Sequence, residues 1–282
     1  MRNSSVLASR FGKVKSSFRS DRPLLDEEIR RVAPSVFAEA KHESRSTRYS
    51  YIPTSEVINS LRKEGFQPFS VVQSRVRDDG KREHTKHMLR LRHVEHIAST
   101  EGTNEIILLN SHDGTSSYQM LAGQYRFVCH NGIVCGDTLN DIRIPHKGDV
   151  IGKVIEGAYT VLDQFDAIKG STEGMRTLSL SAPEQAIFAR AALTLKYDDE
   201  EIAPITEQQL LEPRRFEDRG NDLWRTFNRV QENIIQGGLR GRTSNGKRTT
   251  TRAVTGIDQN VKINRALWIL AEEMGRLKVK VA

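Results

Sequence analysis

Long apolar runs are missing from this sequence of 282 residues. No segment approaches the roughly 20 consecutive apolar residues that a transmembrane helix needs. The first residues, MRNSSVLASRFGKVKSSF, also lack the apolar centre of a signal peptide. We therefore expect a cytoplasmic protein that has no contact with a membrane.

Cysteine is also scarce. The sequence has only two cysteines, Cys129 and Cys135, which flank the segment HNGIV. A structural zinc site takes four ligands, and these two with the adjacent His130 supply three, so zinc would need a further, distant histidine. The pattern favours a reduced, half-buried pair of thiols.

Recognisable catalytic motifs are absent as well: the sequence has no phosphate-binding loop, GxSxG elbow, HExxH motif or CxxC pair. Four histidines, His84, His87, His93 and His96, lie close together in sequence and leave a metal-dependent nuclease as one alternative. No carboxylate array of the kind that hard metals use accompanies them. We expect a protein that is not an enzyme and has no cofactor.

Charge is what the sequence does contain. Charged residues make up 28% of the chain, hydrophobic residues 37%, and the formal net charge is +7. This balance favours a polyanionic partner and indicates that part of the chain is loosely held. Residues 1–48, which hold many Arg, Lys and Ser, are predicted to form a basic flexible arm. Within the arm only Asp26–Ala40 has weak helical spacing, which Pro34 interrupts.

The clearest periodicity lies in residues 49–148, which we predict to be an α+β sheet domain. A helix over Thr54–Gly65 leads into it, since its apolar residues recur on one helical face. In Phe69–Arg77 and Lys86–Val94 apolar and polar residues alternate instead, which predicts two antiparallel strands joined by a turn.

These two strands are predicted to share a basic face. Arg75 and Arg77 alternate with the valines of the first strand, and Arg90 and Arg92 alternate with the leucines of the second. Side chains two residues apart on a strand are spaced by roughly 6.6 Å, which suits a row of phosphates along an extended nucleic-acid strand. We therefore expect a basic groove on one side of the sheet.

A third strand, Glu105–Ser111, is apolar at four successive positions and must be covered on both faces. Apolar residues then recur at three- and four-residue steps through Tyr118–Cys129, which predicts a helix that Asn131 and Gly132 end. The predicted fold class is α+β, a three-stranded antiparallel meander closed by a helix. The third strand would lie at an edge of this meander, so a neighbouring subunit or the later helices must cover it.

Residues 149–282 are predicted to be mainly helical, with strong amphipathic stripes in the segments NDLWRTFNRVQENIIQGG and INRALWILAEEM. Residues 239–254, LRGRTSNGKRTTTRAV, lie between these two segments and contain five cations and no acid. Its glycines predict a mobile basic loop that orders on contact with a phosphate backbone.

Three strings carry a resemblance to a known family. RFVCHNGIVCGD, LWRTFNRVQENIIQGG and NRALWILAEEM resemble the plasmid- and phage-borne family labelled "phage/plasmid-like protein", over most of the chain from about Tyr51 onward. In addition, the order helix, meander, helix, entered through YIPTSEVINSLRKEGFQPFSVV, is similar to the core of single-strand annealing recombination proteins, the class that includes RecT, Redβ and Erf. This second resemblance spans about Tyr51 to Gly132. It implies a ring or filament of subunits whose basic groove holds single-stranded DNA.

From these patterns we predict a non-enzymatic protein of a mobile element that binds single-stranded DNA and anneals or protects it. Further predicted partners are copies of this chain and phage or host recombination or defence proteins. The alternative is a protein-binding module that inhibits a host defence or restriction system. The predicted DNA-binding residues are Arg75, Arg77, Lys81, Arg82, Lys86, Arg90, Arg92, Arg240, Arg242, Lys247, Arg248 and Arg252.

Overall fold

The computed structural model describes residues 16–40, 51–75, 79–96, 102–127, 131–136, 141–197 and 202–281. These residues form two compact units whose segments alternate along the chain. The first unit takes in the described residues of Met1–Ile97, Ile106–Met120 and Ile142–Ala158. The second unit takes in those of Ala98–Glu105, Leu121–Asp141 and Tyr159–Ala282.

Seven strands form one sheet. They are β1 (Ser17–Arg19), β2 (Phe66–Gln73), β3 (His87–His93), β4 (Gly102–Asn110), β5 (Tyr118–Arg126), β6 (Asn131–Val134) and β7 (Ile142–Ile144). The first six lie in chain order across the sheet, and β7 pairs with the start of β5, next to the stretch that pairs with β6. The fold is mixed α and β, as predicted, but the sheet has more strands than the predicted meander.

Residues 16–40 lie within the segment predicted as a flexible arm, yet they form regular structure. Strand β1 pairs with β2, helix α1 (Asp26–Val32) follows, and a 3-10 turn spans Pro34–Phe37. Leu24 and Ile29 are at most 1% exposed, and burying each such side chain stabilises the fold by about 1.5–3 kcal/mol. The prediction of a flexible arm is therefore wrong for this stretch.

Helix α2 (Thr54–Lys63) confirms the helix predicted before the sheet. Its stripe of Val57, Ile58 and Leu61 is at most 1% exposed. The chain then reverses at Gly65, whose φ of +87° is favourable only for glycine. This turn delivers the chain directly into β2.

Strand β5 occupies the segment for which the sequence predicts a helix closing the sheet, and that prediction is wrong. Tyr118, Leu121 and Tyr125 are buried as expected, but Met120, which was not part of the predicted helical stripe, is buried too. A strand covered on both faces loses its alternation of apolar and polar residues. Apolar residues at three- and four-residue steps therefore fit a buried strand as well as a helix.

Strand β4 confirms the prediction that its apolar run is covered on both faces, since Ile106, Ile107, Leu108 and Leu109 are at most 3% exposed. The strand is not at an edge, however, because β3 and β5 lie on either side of it. The predicted open edge is therefore wrong, and it no longer supports assembly into a ring or filament.

Helices predominate in the C-terminal part, as predicted. They are α3 (Val150–Leu162), α4 (Phe165–Thr177), α5 (Ala182–Lys196), α6 (Glu207–Leu211), α7 (Leu223–Gln236) and α8 (Ile257–Val281), with strands β8 (Arg240–Arg242) and β9 (Arg248–Thr250) between the last two. Among the residues that the structure describes, no helix has the length and apolar character that crossing a membrane requires.

Helix α7 is the central helix of the second unit and packs against α4, α5, α6 and α8. Its apolar residues, such as Phe227, are buried as predicted, and Gly237 ends it with a φ of +61°. Most of its polar residues are buried as well, and several of them are hydrogen-bonded: Gln231 Nε2, for example, donates to Asn264 Oδ1 over 2.7 Å. The helix therefore has no solvent-exposed stripe of the kind that an amphipathic surface helix has.

Candidate nucleic-acid interface

The two arginines predicted on the second strand of the sheet are buried. Arg90 is 2% exposed and Arg92 is 1% exposed, and the guanidinium carbon of Arg92 lies 4.3 Å from the centroid of the Phe69 ring. Such a guanidinium is packed within the fold and is not accessible to a phosphate backbone. The prediction that both side chains face solvent is therefore wrong.

The register of the sheet also rules out the shared basic face. Val72 pairs with Met88, two residues from Arg90, so Val72 and Arg90 lie on one face. Gln73 pairs with His87, on the opposite face. The predicted groove requires Val72 to lie on the face opposite Arg90 and Arg92. The observed pairing instead places Val72, Arg90 and Arg92 on the same face.

The other cations predicted around this sheet do not form a defined site. Arg75 is exposed and follows the end of β2, whereas Arg82 and Lys86 are half-buried. Arg77 and the side chain of Lys81 lie outside the described residues. The first unit therefore supplies no described row of exposed arginines.

The first unit does contain a buried polar cluster, which surrounds the hydroxyl of Thr54 at the start of α2. Thr54 Oγ1 lies 3.0 Å from His87 Nε2, 3.1 Å from His112 Nε2 and 3.2 Å from the Tyr118 hydroxyl. Asn110 Nδ2 donates to the same oxygen over 3.0 Å. All five residues are 0% exposed, and we call them the Thr54 cluster.

The histidines of the Thr54 cluster are neutral near pH 7. Burial lowers the pKa of His87 to about 4 and that of His112 to about 2. Of the histidines that suggested a nuclease, His87 lies in this cluster, whereas His93 packs against Phe66 with ring centroids 4.8 Å apart. In the described part of the chain, no three His, Cys, Asp or Glu side chains are placed to hold a metal ion.

Exposed arginines are brought together in the second unit, on the antiparallel hairpin of β8 and β9. Arg240 pairs with Thr250, and Arg242 pairs with Arg248. Residues paired across antiparallel strands share a face, as do residues two apart in one strand. Arg240, Arg242 and Arg248 therefore lie on one face, and all three are exposed. We call these three residues the hairpin face.

The hairpin is docked against the rest of the second unit. The backbone N–H of Arg242 donates to the Pro204 carbonyl over 2.9 Å, and a Cβ on Gly241 would lie 1.9 Å from the same carbonyl oxygen. Gln209 Nε2 donates to the Arg240 carbonyl over 2.8 Å. The basic segment is thus an ordered hairpin, and the prediction of a mobile loop is wrong.

Two further cations flank the hairpin face. Lys247 precedes β9, Arg252 follows it, and both are exposed. Among the residues that the structure describes, none of these five cations forms an ion pair. Lys196 Nζ donates to the Arg252 carbonyl over 2.7 Å, which fixes the base of the hairpin.

Replacing Gly241 with alanine should loosen the hairpin. The added Cβ overlaps the Pro204 carbonyl, so β8 must shift and lose the hydrogen bond from Arg242. Limited trypsin digestion should then cleave within the hairpin several-fold faster. Gly256→Ala is the matched control, because its Cβ would meet only Gln259, at 3.9 Å. Equal rates for Gly241→Ala and the parent protein would contradict the docking.

A second exposed feature of this unit is the 3-10 turn that begins at Phe216 and ends at Asp218, which we call the Phe216 turn. Phe216 is 75% exposed, and the guanidinium carbon of Arg219 lies 5.4 Å from the centroid of its ring. Asp218 is 0% exposed; its Oδ1 accepts from Arg126 Nη1 over 2.9 Å, and its Oδ2 lies 3.5 Å from Arg215 Nε. Two buried ion pairs therefore anchor an exposed aromatic ring.

Similar proteins occur in Escherichia coli (strain K12). The UPF0380 protein YafZ is 58% identical over 268 residues, which cover 95% of this chain and 97% of YafZ. The UPF0380 protein YfjQ is 57% identical over 268 residues, with the same coverage. No solved structure matches the chain. The model of the domain of unknown function DUF932 matches residues 41–268, and the chain therefore belongs to the DUF932 family.

Proposed function

We propose that this protein binds single-stranded DNA, and that the hairpin face holds its phosphates. One observation supports the proposal above all others: three exposed arginines share a face of an ordered hairpin, and none of them is neutralised by an acid among the described residues. The proposal rests on the second unit alone, because Arg90 and Arg92 of the sheet are buried.

The geometry of the hairpin face suits a phosphate backbone. Arg240 and Arg242 are two residues apart on one strand, a spacing of roughly 6.6 Å. Arg248 lies directly across from Arg242, about 5 Å away. A guanidinium binds phosphate oxygens in a bidentate manner and keeps its charge at all physiological pH values. The hairpin is short, but its face therefore holds three guanidinium groups close together, which form one site for phosphates.

Binding of this kind has no base preference. Contacts to phosphates position a nucleic-acid strand but carry no sequence information. The hairpin presents Thr250 and arginines on its exposed face and has no helix that could enter a groove and read base edges. Lys247 and Arg252 extend the same positive field on either side of β9.

The test is the salt dependence of binding to a fluorescent oligonucleotide, measured by anisotropy. Changing Arg240, Arg242 and Arg248 together to glutamine should lower the salt slope by about two, because each phosphate contact to a single strand contributes roughly 0.7. Affinity at about 0.1 M salt should fall by roughly 100-fold. The loss should be the same for every base sequence.

A matched control removes three exposed lysines from three helices of the same chain. Lys153, Lys169 and Lys262 lie on α3, α4 and α8, and changing them to glutamine reduces the net charge by the same amount. If this control weakens binding as much as the hairpin variant does, net charge alone drives binding and the hairpin face is not a site. Salt-insensitive capture of a host protein, without DNA binding, would instead favour the inhibitor of a host defence system.

Annealing, an origin in a mobile element and assembly into a ring or filament stay predictions. Annealing and assembly follow from the resemblance to annealing proteins, and the mobile-element origin follows from the resemblance to the phage/plasmid-like family; the hairpin face does not bear on any of them. A cytoplasmic location, which follows from the sequence pattern, stays a prediction as well.

A further inference from the structure

Beyond phosphate binding, we propose that Phe216 and Arg219 form a stacking platform for one unpaired base of the bound strand. This inference rests on the proposed function and adds to it a reason to prefer single strands over duplexes. A base in a duplex is already stacked on both sides, whereas an unpaired base has an open face that an aromatic ring can cover.

The first support is the position of the Phe216 ring. The ring is 75% exposed, although it stands on an ordered turn and the fold leaves it in water. The Arg219 guanidinium lies over the ring, with its carbon 5.4 Å from the ring centroid, and adds a planar cation to the same surface. Nucleobases stack on both groups, on aromatic rings directly and on guanidinium planes through their delocalised charge.

The second support is the rigidity of the Phe216 turn. Arg215, immediately before it, has extended backbone with φ −149° and ψ 168°. Its side chain therefore points away from those of Arg214 and Phe216, toward Glu232 and Asp218, with which it forms ion pairs. Because these ion pairs fix the turn that carries the Phe216 ring, little conformational entropy is lost when a base stacks on the ring.

The third support is the connection to the hairpin. Arg214 is exposed and lies two residues from Phe216 on the same side of the chain. Its Nη2 donates to the Gly237 carbonyl, and its Nε donates to Asn233 Oδ1 over 2.6 Å. Gly237 lies three residues before Arg240 in the chain. Arg214 therefore links the segment that carries the platform to the chain that leads into the hairpin.

The experiment compares Phe216→Leu with Phe216→Trp in the full-length chain. Leucine keeps an apolar side chain but has no π face, so affinity for a thymine oligonucleotide should fall by about 5- to 150-fold, the range for the loss of one stacked base. The salt slope should stay that of the parent, since no phosphate contact is lost. Binding to a duplex of the same length should not change.

Phe216→Trp should bind like the parent and give a direct signal. Trp224 and Trp268 are 3% and 0% exposed, so a tryptophan at position 216 adds the solvent-exposed emission that a stacked base quenches. Quenching by single strands but not by duplex would support the platform. A Phe216→Trp variant whose emission is not quenched, or a Phe216→Leu variant that binds single strands as tightly as the parent, would overturn it.

The two proposals fail in different ways. If the hairpin variant loses affinity while Phe216→Leu does not, phosphate binding stands and the platform is wrong. If the parent protein binds no oligonucleotide, both are wrong. A loss of affinity for duplex and single strands alike in Phe216→Leu would also reject the platform, because stacking requires an unpaired base.

Discussion

Replacing Asp218 with asparagine should destabilise the second unit by about 3–5 kcal/mol, the cost of removing one partner from a buried charge pair. Asp218 is 0% exposed and neutralises Arg126, 2.9 Å away, and Arg215, 3.5 Å away. Asparagine keeps the shape of the side chain but leaves these two guanidinium groups in the interior with less opposing charge. Glu232 remains as a partner of Arg215 only.

Urea unfolding followed by circular dichroism measures this effect. The midpoint should fall while the dependence on urea stays the same, since the surface exposed on unfolding is unchanged. Glu273→Ala is the control: it breaks an ion pair with Arg276 that is 55% and 64% exposed at its two side chains, and exposed pairs contribute about 0–1 kcal/mol. A loss below about 1 kcal/mol for Asp218→Asn would show that water screens the pair.

The same substitution also bears on function, because Asp218 anchors the Phe216 turn. Under conditions in which the variant remains folded, a loosened turn should weaken the preference for single strands over duplex. Binding through the hairpin face should persist, since the Arg242 contact to Pro204 does not involve Asp218. The effect of the turn on strand preference can thus be measured separately from binding through the hairpin face.

Helices with an apolar stripe were predictable from the sequence. The stripe of Val57, Ile58 and Leu61 faces the core of the first unit, as its spacing indicates. The segment Tyr118–Arg126 was not predictable in this way, since a strand buried on both faces has no alternation. Local propensity did not decide its structure; pairing with the neighbouring strands β4, β6 and β7 did.

The candidate site was harder to predict. Alternation places Arg90 on the polar side of β3 but does not show whether that side faces water, and here it is buried. In the segment 239–254 the sequence shows the run of cations, but the hairpin that orders them depends on Pro204, which lies far away in sequence. Phe216, the proposed stacking residue, has little signal in the sequence because one aromatic residue in a polar link has no period; only the arginines around it stand out.

The Thr54 cluster could not be predicted either, since its members come from four separate parts of the chain. Its histidines make the stability of the first unit depend on pH. Burial lowers the pKa of His87 to about 4 and of His112 to about 2, whereas both are near 6.5 when exposed. The pKa of the adjacent His146 is lowered by burial as well. Burial would raise the pKa of Asp113, but hydrogen bonds from Thr115 outweigh it, so this carboxylate titrates below its usual range.

Lowering the pH from about 7.5 to 5 should therefore destabilise the first unit by about 2 kcal/mol for each of His87 and His112. In that window the unfolded chain takes up protons that the folded cluster excludes, so the stability is fully present above pH 6.5 and is lost as the pH falls toward 4. Urea unfolding at both pH values should show that His112→Gln loses about 2 kcal/mol less unfolding free energy on acidification than the parent does. Tyr118→Phe removes a hydroxyl from the same cluster without titrating in this range, and should lower stability equally at both pH values. A loss on acidification that is the same in His112→Gln as in the parent would place the proton uptake elsewhere and show that the cluster is open to protons when folded.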